Sequence, residues 1–168
     1  MMDNAQLLRS LLTGRNVAAL ATLHDGRPFA SMIPFAAATI AGRFRLVTHV
    51  SGLSAHTRDM RAHAGVCLLV TAAESQGIPP QALPRVSIEA VSEFIPSSHS
   101  DHDAVKAAYI GKFPDAADLF QLGDFSLVAF APTSARLIAG FGRAVTLSPD
   151  SLAAAVSGAG PDGPSGRG

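Results

Sequence analysis

The stretch VAALATLHDGRPFASMIPFAAATIAGRFRLVTH, residues 17–49, predicts three sequential β-strands joined by tight turns. An apolar run ends at Leu23, Asp25-Gly26 is a hairpin signal, and a second strand is predicted over residues 28–40. A further turn at Ala41-Gly42 leads into the third strand. Strands joined by turns this short pair in antiparallel fashion, because a parallel pair needs a long crossover. The stretch therefore favours an antiparallel meander over a doubly wound parallel sheet.

The rest of the chain adds more strands and several short helices. Asp3 and Gln6 form a capping box that predicts a first helix, with an apolar stripe running from Leu7 to Leu12. Further strands are predicted over residues 66–72, 85–95, 124–131 and 135–147, and helical segments over residues 51–64, 96–109 and 114–121 and after Ser148. The resulting chain is mainly β, in the α+β class, and its natural architecture is an antiparallel barrel of six or seven strands with peripheral helices.

The composition suggests that part of the surface is covered by a second copy. Of the 168 residues 48% are hydrophobic and only 15% are charged, against a usual charged share of about 25%. A chain so short of charge is expected to bury surface in an oligomer. Its formal net charge is +0, so it has no overall field to hold nucleic acid or an anionic membrane, and neither partner is expected.

Targeting signals and the chain termini give further expectations. Cys67 is the single cysteine, so no intrachain disulfide can form, and the N-terminus lacks the basic and apolar regions of a signal peptide, which favours the cytoplasm. The most apolar stretch, residues 31–42, is too short for a membrane helix and contains Pro34. One domain is expected over residues 1–156, followed by a disordered Gly/Pro-rich tail over residues 157–168.

The segment THVSGLSAHTRDM, residues 48–60, carries the clearest chemical signal. A strand ends, a glycine-containing turn follows, and a helix begins, so free backbone N–H groups and the helix dipole favour an anion there. The hydroxyls of Ser54 and Thr57, the fork of Arg58 and a protonated His56 are suited to hold a phosphate. Ordinary capping explains the same residues, with Ser54 as the N-cap and Arg58 paired to a surface carboxylate. Both interpretations stay open at this point.

The order of several segments resembles a known family. These are ATLHDGRPFASMIPFA, VTHVSGLSAHTRDM, VCLLV, PRVSIEAVSEF and DFSLVAFAPTSARLIAGFGRA, of which LSAHTRD and GFGRA are the most specific. Together they are similar to the FMN-binding split β-barrel of proteins related to pyridoxamine 5'-phosphate oxidase, and most similar to the haem-utilisation (HugZ-like) branch. The resemblance covers about residues 5–147.

This resemblance implies a homodimer with FMN in a cleft between the two subunits. Ser31, Met32 and Ile33 would face the flavin or offer backbone contacts to its ring, and Thr48 would lie beside the ribityl chain. The phosphate would be held by the start of the helix, with four residues contributing: Ser54, His56, Thr57 and Arg58. Arg85 falls near a family position that contacts the flavin, although an edge-strand arginine in solvent is an equal alternative.

The implied activity is that of an FMN-dependent oxidoreductase with a small-molecule substrate, whose identity and catalytic residues the sequence leaves unknown. Two alternatives use the same barrel: a haem-binding or haem-degrading protein, and a non-catalytic flavin-binding or regulatory protein. Pyridoxamine phosphate is not the expected substrate, because the chain lacks the arginine-rich C-terminal pocket of the true oxidase.

The remaining histidines and glycines receive structural interpretations. His49, His56 and His63 recur every seven residues, yet a phosphate turn and a helix C-terminus explain the last two without a ligand. No metal site is expected, because no ligand spacing of a known zinc class occurs. His24 lies at a hairpin tip and is expected to be solvated. Gly140 and Gly142 indicate either a bulge or a close backbone approach inside a strand.

Overall fold

Both tight turns of the meander form as the sequence predicts. In a computed structural model, which describes residues 2–140 and 142–158, Asp25 and Gly26 have φ angles of 50° and 74°, and Ala41 and Gly42 have φ angles of 49° and 73°. Two successive left-handed residues are typical of the type I′ turn that joins antiparallel strands. The strands are β1 (Val17–His24), β2 (Arg27–Pro34), β3 (Ala36–Ile40) and β4 (Arg43–Ser51).

The second predicted strand is divided at Phe35. Its backbone N–H donates to the carbonyl oxygen of Asn16 at 3.0 Å, and its ring is fully buried. The division sends β2 to pair with β1 and β3 to pair with β4, at opposite ends of the sheet. The Thr48 hydroxyl then donates to the Pro34 carbonyl at 2.6 Å, which brings the end of β2 back to β4 and curls the sheet into a split barrel.

The remaining elements complete a sheet that has eight strands within the described residues. They are α1 (Asn4–Gly14), α2 (Ala55–Ala62), β5 (Gly65–Thr71), β6 (Arg85–Ile95), α3 (His102–Lys112), β7 (Phe125–Ile138), β8 (Ala144–Leu147) and α4 (Pro149–Ser157), with 3₁₀ segments at Pro80–Ala82 and Pro114–Gln121. The strand order is β2-β1-β5-β6-β7-β4-β3, with β8 paired to β7. Every pairing is antiparallel, so the predicted mainly β class and the split-barrel architecture are confirmed. The described residues form eight strands where six or seven were predicted, because the second predicted strand is divided into β2 and β3.

Two predictions about the last strands need correction. We expected a break between strands at residues 132–134, but β7 runs through them, because its register with β6 shifts so that Thr133 is the extra residue of a bulge. A bulge tolerates the missing N–H of Pro132. Gly140 and Gly142 do not form a bulge. They lie in the loop between β7 and β8, where the Ala139 N–H donates to the Arg143 carbonyl.

The sheet separates two hydrophobic cores, and β4 contributes to both. Leu46 and Val50 belong to the barrel core, which α1 covers with its predicted stripe of Leu7, Leu8, Leu11 and Leu12. Val47 belongs to a second core beneath α3, together with Val105 and Tyr109. Alternate residues of a strand point to opposite faces, so Thr48 lies on the barrel side and His49 on the α3 side. The capping box of Asp3 and Gln6 is also present, as predicted.

The ends of the chain add two facts. Helix α4 runs to Ser157 and is closed by Gly158 with a φ angle of 70°. The first two residues of the tail predicted over residues 157–168 thus belong to the helix and its cap, and residues 159–168 lie outside the described residues. Within the part of the chain that the structure describes, no helix is long and apolar enough to cross a membrane.

Candidate functional site

The turn between β4 and α2 is fastened to the start of β7. The Ser51 hydroxyl donates to an Asp124 carboxylate oxygen at 2.8 Å, and the Gly52 N–H donates to the Asp124 carbonyl at 2.6 Å. A β-carbon at Gly52 would lie 2.9 Å from that carbonyl oxygen, so the close approach requires glycine. The predicted strand, glycine turn and helix are therefore present, and the turn has a fixed shape.

The first turn of α2 leaves two of its four predicted phosphate ligands available. Ser54 occupies the N-cap position but its hydroxyl makes no capping bond, and Arg58 is exposed without a carboxylate partner among the described residues. The Thr57 hydroxyl is buried and donates to the Ser51 carbonyl at 2.7 Å. Burial lowers the pKa of His56, partly offset by the nearby Asp59, which favours a neutral imidazole. The cationic charge at this helix start comes from Arg58.

The β2 residues predicted to face a flavin ring have three different environments. The Ser31 hydroxyl oxygen is buried and has no hydrogen-bond partner within the described chain. Met32 is 64% exposed on the outer face of the sheet, and Ile33 is 1% exposed in the barrel core. In the strand order β2 lies at one end of the sheet, so one side of its backbone is open to hydrogen bonding.

Thr48 and Arg85 both have intramolecular partners. Thr48 is fully buried and its hydroxyl is engaged with Pro34, so it fixes the junction of β2 and β4. Arg85 is half-buried and donates to the carbonyl oxygens of Leu83 at 3.0 Å and Gln81 at 3.4 Å, which anchors the proline-rich loop. Because β6 lies between β5 and β7, the alternative of an edge-strand arginine in solvent is wrong. Their contacts with a flavin stay predictions.

A hydrogen-bonded group that sequence reasoning missed lies beside Arg58. The Asp59 carboxylate is buried and accepts from the Thr22 hydroxyl and from Nδ1 of His24, each at 2.8 Å. A carboxylate only accepts, so Nδ1 of His24 carries the proton in this hydrogen bond. A cavity of about 390 Å³ opens here, with His24, Arg58, Asp59 and His63 in its lining.

The His24 arrangement corrects the expectation of a solvated hairpin tip. Its partner lies 35 residues away along the chain, on α2. The local sequence carries no signal for this pairing, because a hairpin-tip histidine and a helical aspartate are each ordinary surface residues. Ser54 and His56 are not in the lining of the cavity that contains Arg58. Within residues 2–140 and 142–158, no group of three metal-binding side chains converges.

Replacing Asp59 by alanine should lower the free energy of unfolding by about 1–3 kcal/mol near neutral pH, because the buried Thr22 hydroxyl and the half-buried His24 imidazole lose their charged acceptor. Burial opposes ionisation of Asp59, but the hydrogen bonds from His24 and Thr22, with the charges of His24 and Arg58, hold its pKa below the ordinary 3.8. The stabilisation is therefore complete above that pH and is lost as the pH falls through the folded-state pKa. Urea denaturation at about pH 7 and about pH 3 measures both effects.

The control for this variant is Asp25→Ala at the exposed tip of the same hairpin. It should change the free energy of unfolding by less than about 0.5 kcal/mol. An Asp59→Ala protein as stable as the wild type at neutral pH would show that the group does not hold the hairpin to α2.

Comparison with known proteins places the fold. The family model for pyridoxamine 5'-phosphate oxidase matches residues 5–139. The chain belongs to this family. The match contains the barrel meander, the β4–α2 turn and β6, so the resemblance drawn from the sequence is confirmed. A search of curated proteins finds no match to the chain.

Solved structures extend this result. A heme binding protein from Mycobacterium smegmatis superposes with a TM-score of 0.76 at 25% identity, over 92% of this chain and 61% of that one. HutZ, the heme storage protein from Vibrio cholerae, has a TM-score of 0.62 at 25% identity, over 70% of this chain and 82% of that one. A putative pyridoxamine 5'-phosphate oxidase from Listeria innocua shares the fold, with a TM-score of 0.59 at 16% identity, over 82% of this chain and all (100%) of that one. The chain thus spans about three fifths of the M. smegmatis protein.

Proposed function

We propose that this family member binds FMN and acts as an oxidoreductase on a small molecule. The observation that carries the proposal is the Ser31 hydroxyl, which is buried without a partner on the edge strand β2. A buried polar atom left unpaired is destabilising, and a ligand that hydrogen-bonds to it removes that cost. The barrel closure through Thr48 and Pro34 brings this strand to the end of β4 that leads into α2.

The available groups fit a flavin with its phosphate at the helix start. Arg58 supplies a guanidinium fork, Ser54 supplies a free hydroxyl, and the first N–H groups of α2 lack intrahelical acceptors. The open backbone edge of β2 offers hydrogen-bonding groups to the polar rim of a flat ring, while Ile33 fixes that strand by packing into the core. When bound, FMN supplies hydride or electron transfer, and the protein orients it.

The outer face of the sheet supports a homodimer. Residues directly opposite each other in antiparallel strands share a face. Ala19 pairs with Met32 on β2 and with Leu69 on β5, so the three side chains lie on this outer face. This outer face continues through exposed apolar side chains on β1 and β6: Val17, Leu23 and Val91. A patch this broad on a chain with 15% charged residues fits a second copy of the chain.

The dimer and the cofactor site adjoin through β2. Met32 lies on the outer face, while its neighbours Ser31 and Ile33 are turned toward the barrel. A second copy on the outer face would lie along the same strand that we assign to the flavin, and would complete a cleft there. The proposed activity requires a small-molecule substrate and an electron acceptor. The cytoplasmic location expected from the sequence is also part of this proposal.

The purified protein tests the cofactor directly. The protein as isolated should absorb at about 450 nm, or, if it is isolated without the cofactor, should quench FMN fluorescence in a saturable manner on titration. Riboflavin, which lacks the phosphate, should bind at least about tenfold more weakly, because the charged contact at α2 is missing. Ser31→Ala should bind FMN more weakly, yet the FMN-free variant should melt at or above the wild-type temperature, because the unpaired hydroxyl is gone. Equal affinities for FMN and riboflavin would contradict the phosphate assignment.

Haem on the same barrel is the second candidate, because two of the structures at 25% identity are described as haem proteins. Haem binding requires an iron ligand, and the half-buried His56, with its pKa lowered by burial, is a neutral imidazole suited to that role. A Soret band on haem addition that His56→Ala abolishes would favour this candidate. FMN binding without turnover of any reductant would instead favour a non-catalytic flavin protein.

A further inference from the structure

A cavity of about 490 Å³ lies at the ends of β4 and β6, beside α2, α3 and the 3₁₀ segment Pro114–Gln121. Strand alternation turns His49 toward the core beneath α3 and away from the face of Thr48, while Phe94 packs against the barrel core, so the lining draws on both faces of the sheet at this end. Its volume is in the range of small-molecule sites. None of the residues predicted to hold a flavin is in the lining of this cavity. Its His49 directly follows Thr48 in the chain, and its Arg61 lies three residues after Arg58.

Aromatic rings form the wall of this cavity. The imidazole of His49 stacks on Phe120 with centroids 3.8 Å apart and planes 5° apart, and Phe125 lies 5.0 Å from the same imidazole. Phe94 contributes a further ring at the end of β6. Flat apolar walls of this kind favour planar rings, which stack or pack edge-to-face against them.

His49 carries an unsatisfied polar atom at the base of the wall. The residue is 7% exposed, and its Nδ1 is buried with no hydrogen-bond partner among the described residues. Burial, with the nearby charge of Lys106, lowers the pKa of His49 to about 4, so the imidazole is neutral at physiological pH. If His49 served only to pack, phenylalanine in its place would make the protein more stable, because a buried polar atom without a partner is destabilising.

Two cationic side chains lie at the cavity. Arg61 lies 4.0 Å above the Phe94 ring and makes one long hydrogen bond, 3.4 Å, to the Ser126 hydroxyl. Lys106 lies 4.9 Å from the Phe120 ring, and His102 is in the lining. None of the described lining residues is acidic. A guanidinium beside an aromatic wall, with no carboxylate partner in the part of the chain that the structure describes, is complementary to a ring that bears an anion.

We propose that this cavity binds a planar aromatic carboxylate, with its ring against the phenylalanine wall and its carboxylate toward Arg61. His49 supplies the hydrogen-bonding group at the base of the site. The site is separate from the flavin cleft, and it stands whether or not the chain binds FMN.

Naphthalene-2-carboxylate is the probe, titrated into the full chain by isothermal calorimetry. We expect a dissociation constant below about 1 mM, and at least about tenfold weaker binding of the uncharged naphthalene-2-carboxamide. Arg61→Met keeps the contact with Phe94 but removes the charge, and should weaken carboxylate binding at least about tenfold. Arg43→Met, at the exposed start of β4, is the matched control and should bind like the wild type.

His49→Phe separates a binding role from a packing role. It should melt at or above the wild-type temperature, because the unpaired nitrogen is gone, and yet bind the probe at least about fivefold more weakly. Saturating FMN should leave the probe's affinity unchanged. The proposal is overturned by a wild-type dissociation constant above about 1 mM, by equal binding of the carboxamide, by Arg61→Met binding within about twofold of the wild type, or by competition with FMN.

Discussion

A glutamate in place of Leu69 should convert the proposed dimer to a monomer. Leu69 lies on β5 near the middle of the apolar outer face, paired with Ala19 on one side and Ser87 on the other. A second copy on this face would bury the new carboxylate, and burying an unpaired charge is strongly unfavourable. A two-fold axis places the same charge on both copies, which doubles the cost. The dissociation constant of the dimer should rise at least about 100-fold.

Light scattering coupled to size exclusion, over micromolar protein concentrations, measures this change. The control is Leu119→Glu in the 3₁₀ segment Pro114–Gln121, an equally exposed leucine away from the outer face, which should keep the wild-type mass. Leu69→Glu should also keep its far-UV circular dichroism, because Leu69 lies outside both cores. A wild-type protein that is monomeric at micromolar concentration would contradict the dimer and the shared cleft together.

The dimer variant also tests how the cofactor site is built. If the cleft is completed by a second copy, Leu69→Glu should bind FMN more weakly than the wild type even though no predicted flavin ligand is altered. The pairing of Met32, Ala19 and Leu69 across β2, β1 and β5 links the outer face to the strand assigned to the flavin. An unchanged FMN affinity in a monomeric variant would place the whole site within one subunit.

Local physics explains which parts of the fold the sequence predicts. The Asp25-Gly26 and Ala41-Gly42 turns need left-handed backbone at consecutive residues, and the Asp3–Gln6 capping box satisfies helix N–H groups within one turn. Each depends on neighbours in sequence, so the pattern is sufficient. The division at Phe35 is different, because it depends on where its ring and its N–H find partners in the folded chain.

The same distinction holds for the candidate site. The strand, turn and helix around Ser54 were predictable, because glycine and capping residues act locally. The sequence does not predict which side chains remain free for a ligand, since Asp124 lies 73 residues from Ser51 and accepts its hydrogen bond from the turn before β7. The faces of His49 and Thr48 follow from strand alternation, but the unpaired Nδ1 of His49 requires knowledge of what α3 and the 3₁₀ segment Pro114–Gln121 place around it.

Replacing Arg58 by alanine should weaken FMN binding by about 1.5–3 kcal/mol, a change of about 10- to 150-fold in the dissociation constant. The Thr57 hydroxyl already donates to the Ser51 carbonyl, and burial lowers the pKa of His56, which favours its neutral form. Arg58 therefore supplies the formal charge at the start of α2. Arg58→Lys should lose less affinity than Arg58→Ala, because it keeps the charge but not the two-pronged geometry.

Riboflavin makes this measurement specific to the phosphate. Fluorescence titrations of wild type and Arg58→Ala with both flavins should show the loss for FMN and no change for riboflavin, since only FMN carries the phosphate that Arg58 is proposed to hold. Arg43→Ala, at the far end of β4, should bind both flavins as the wild type does. A loss of equal size for riboflavin would mean that Arg58 acts through the Asp59 and His24 group beside it and not through the phosphate. An Arg58→Ala protein with unchanged FMN affinity would remove the phosphate from this helix altogether.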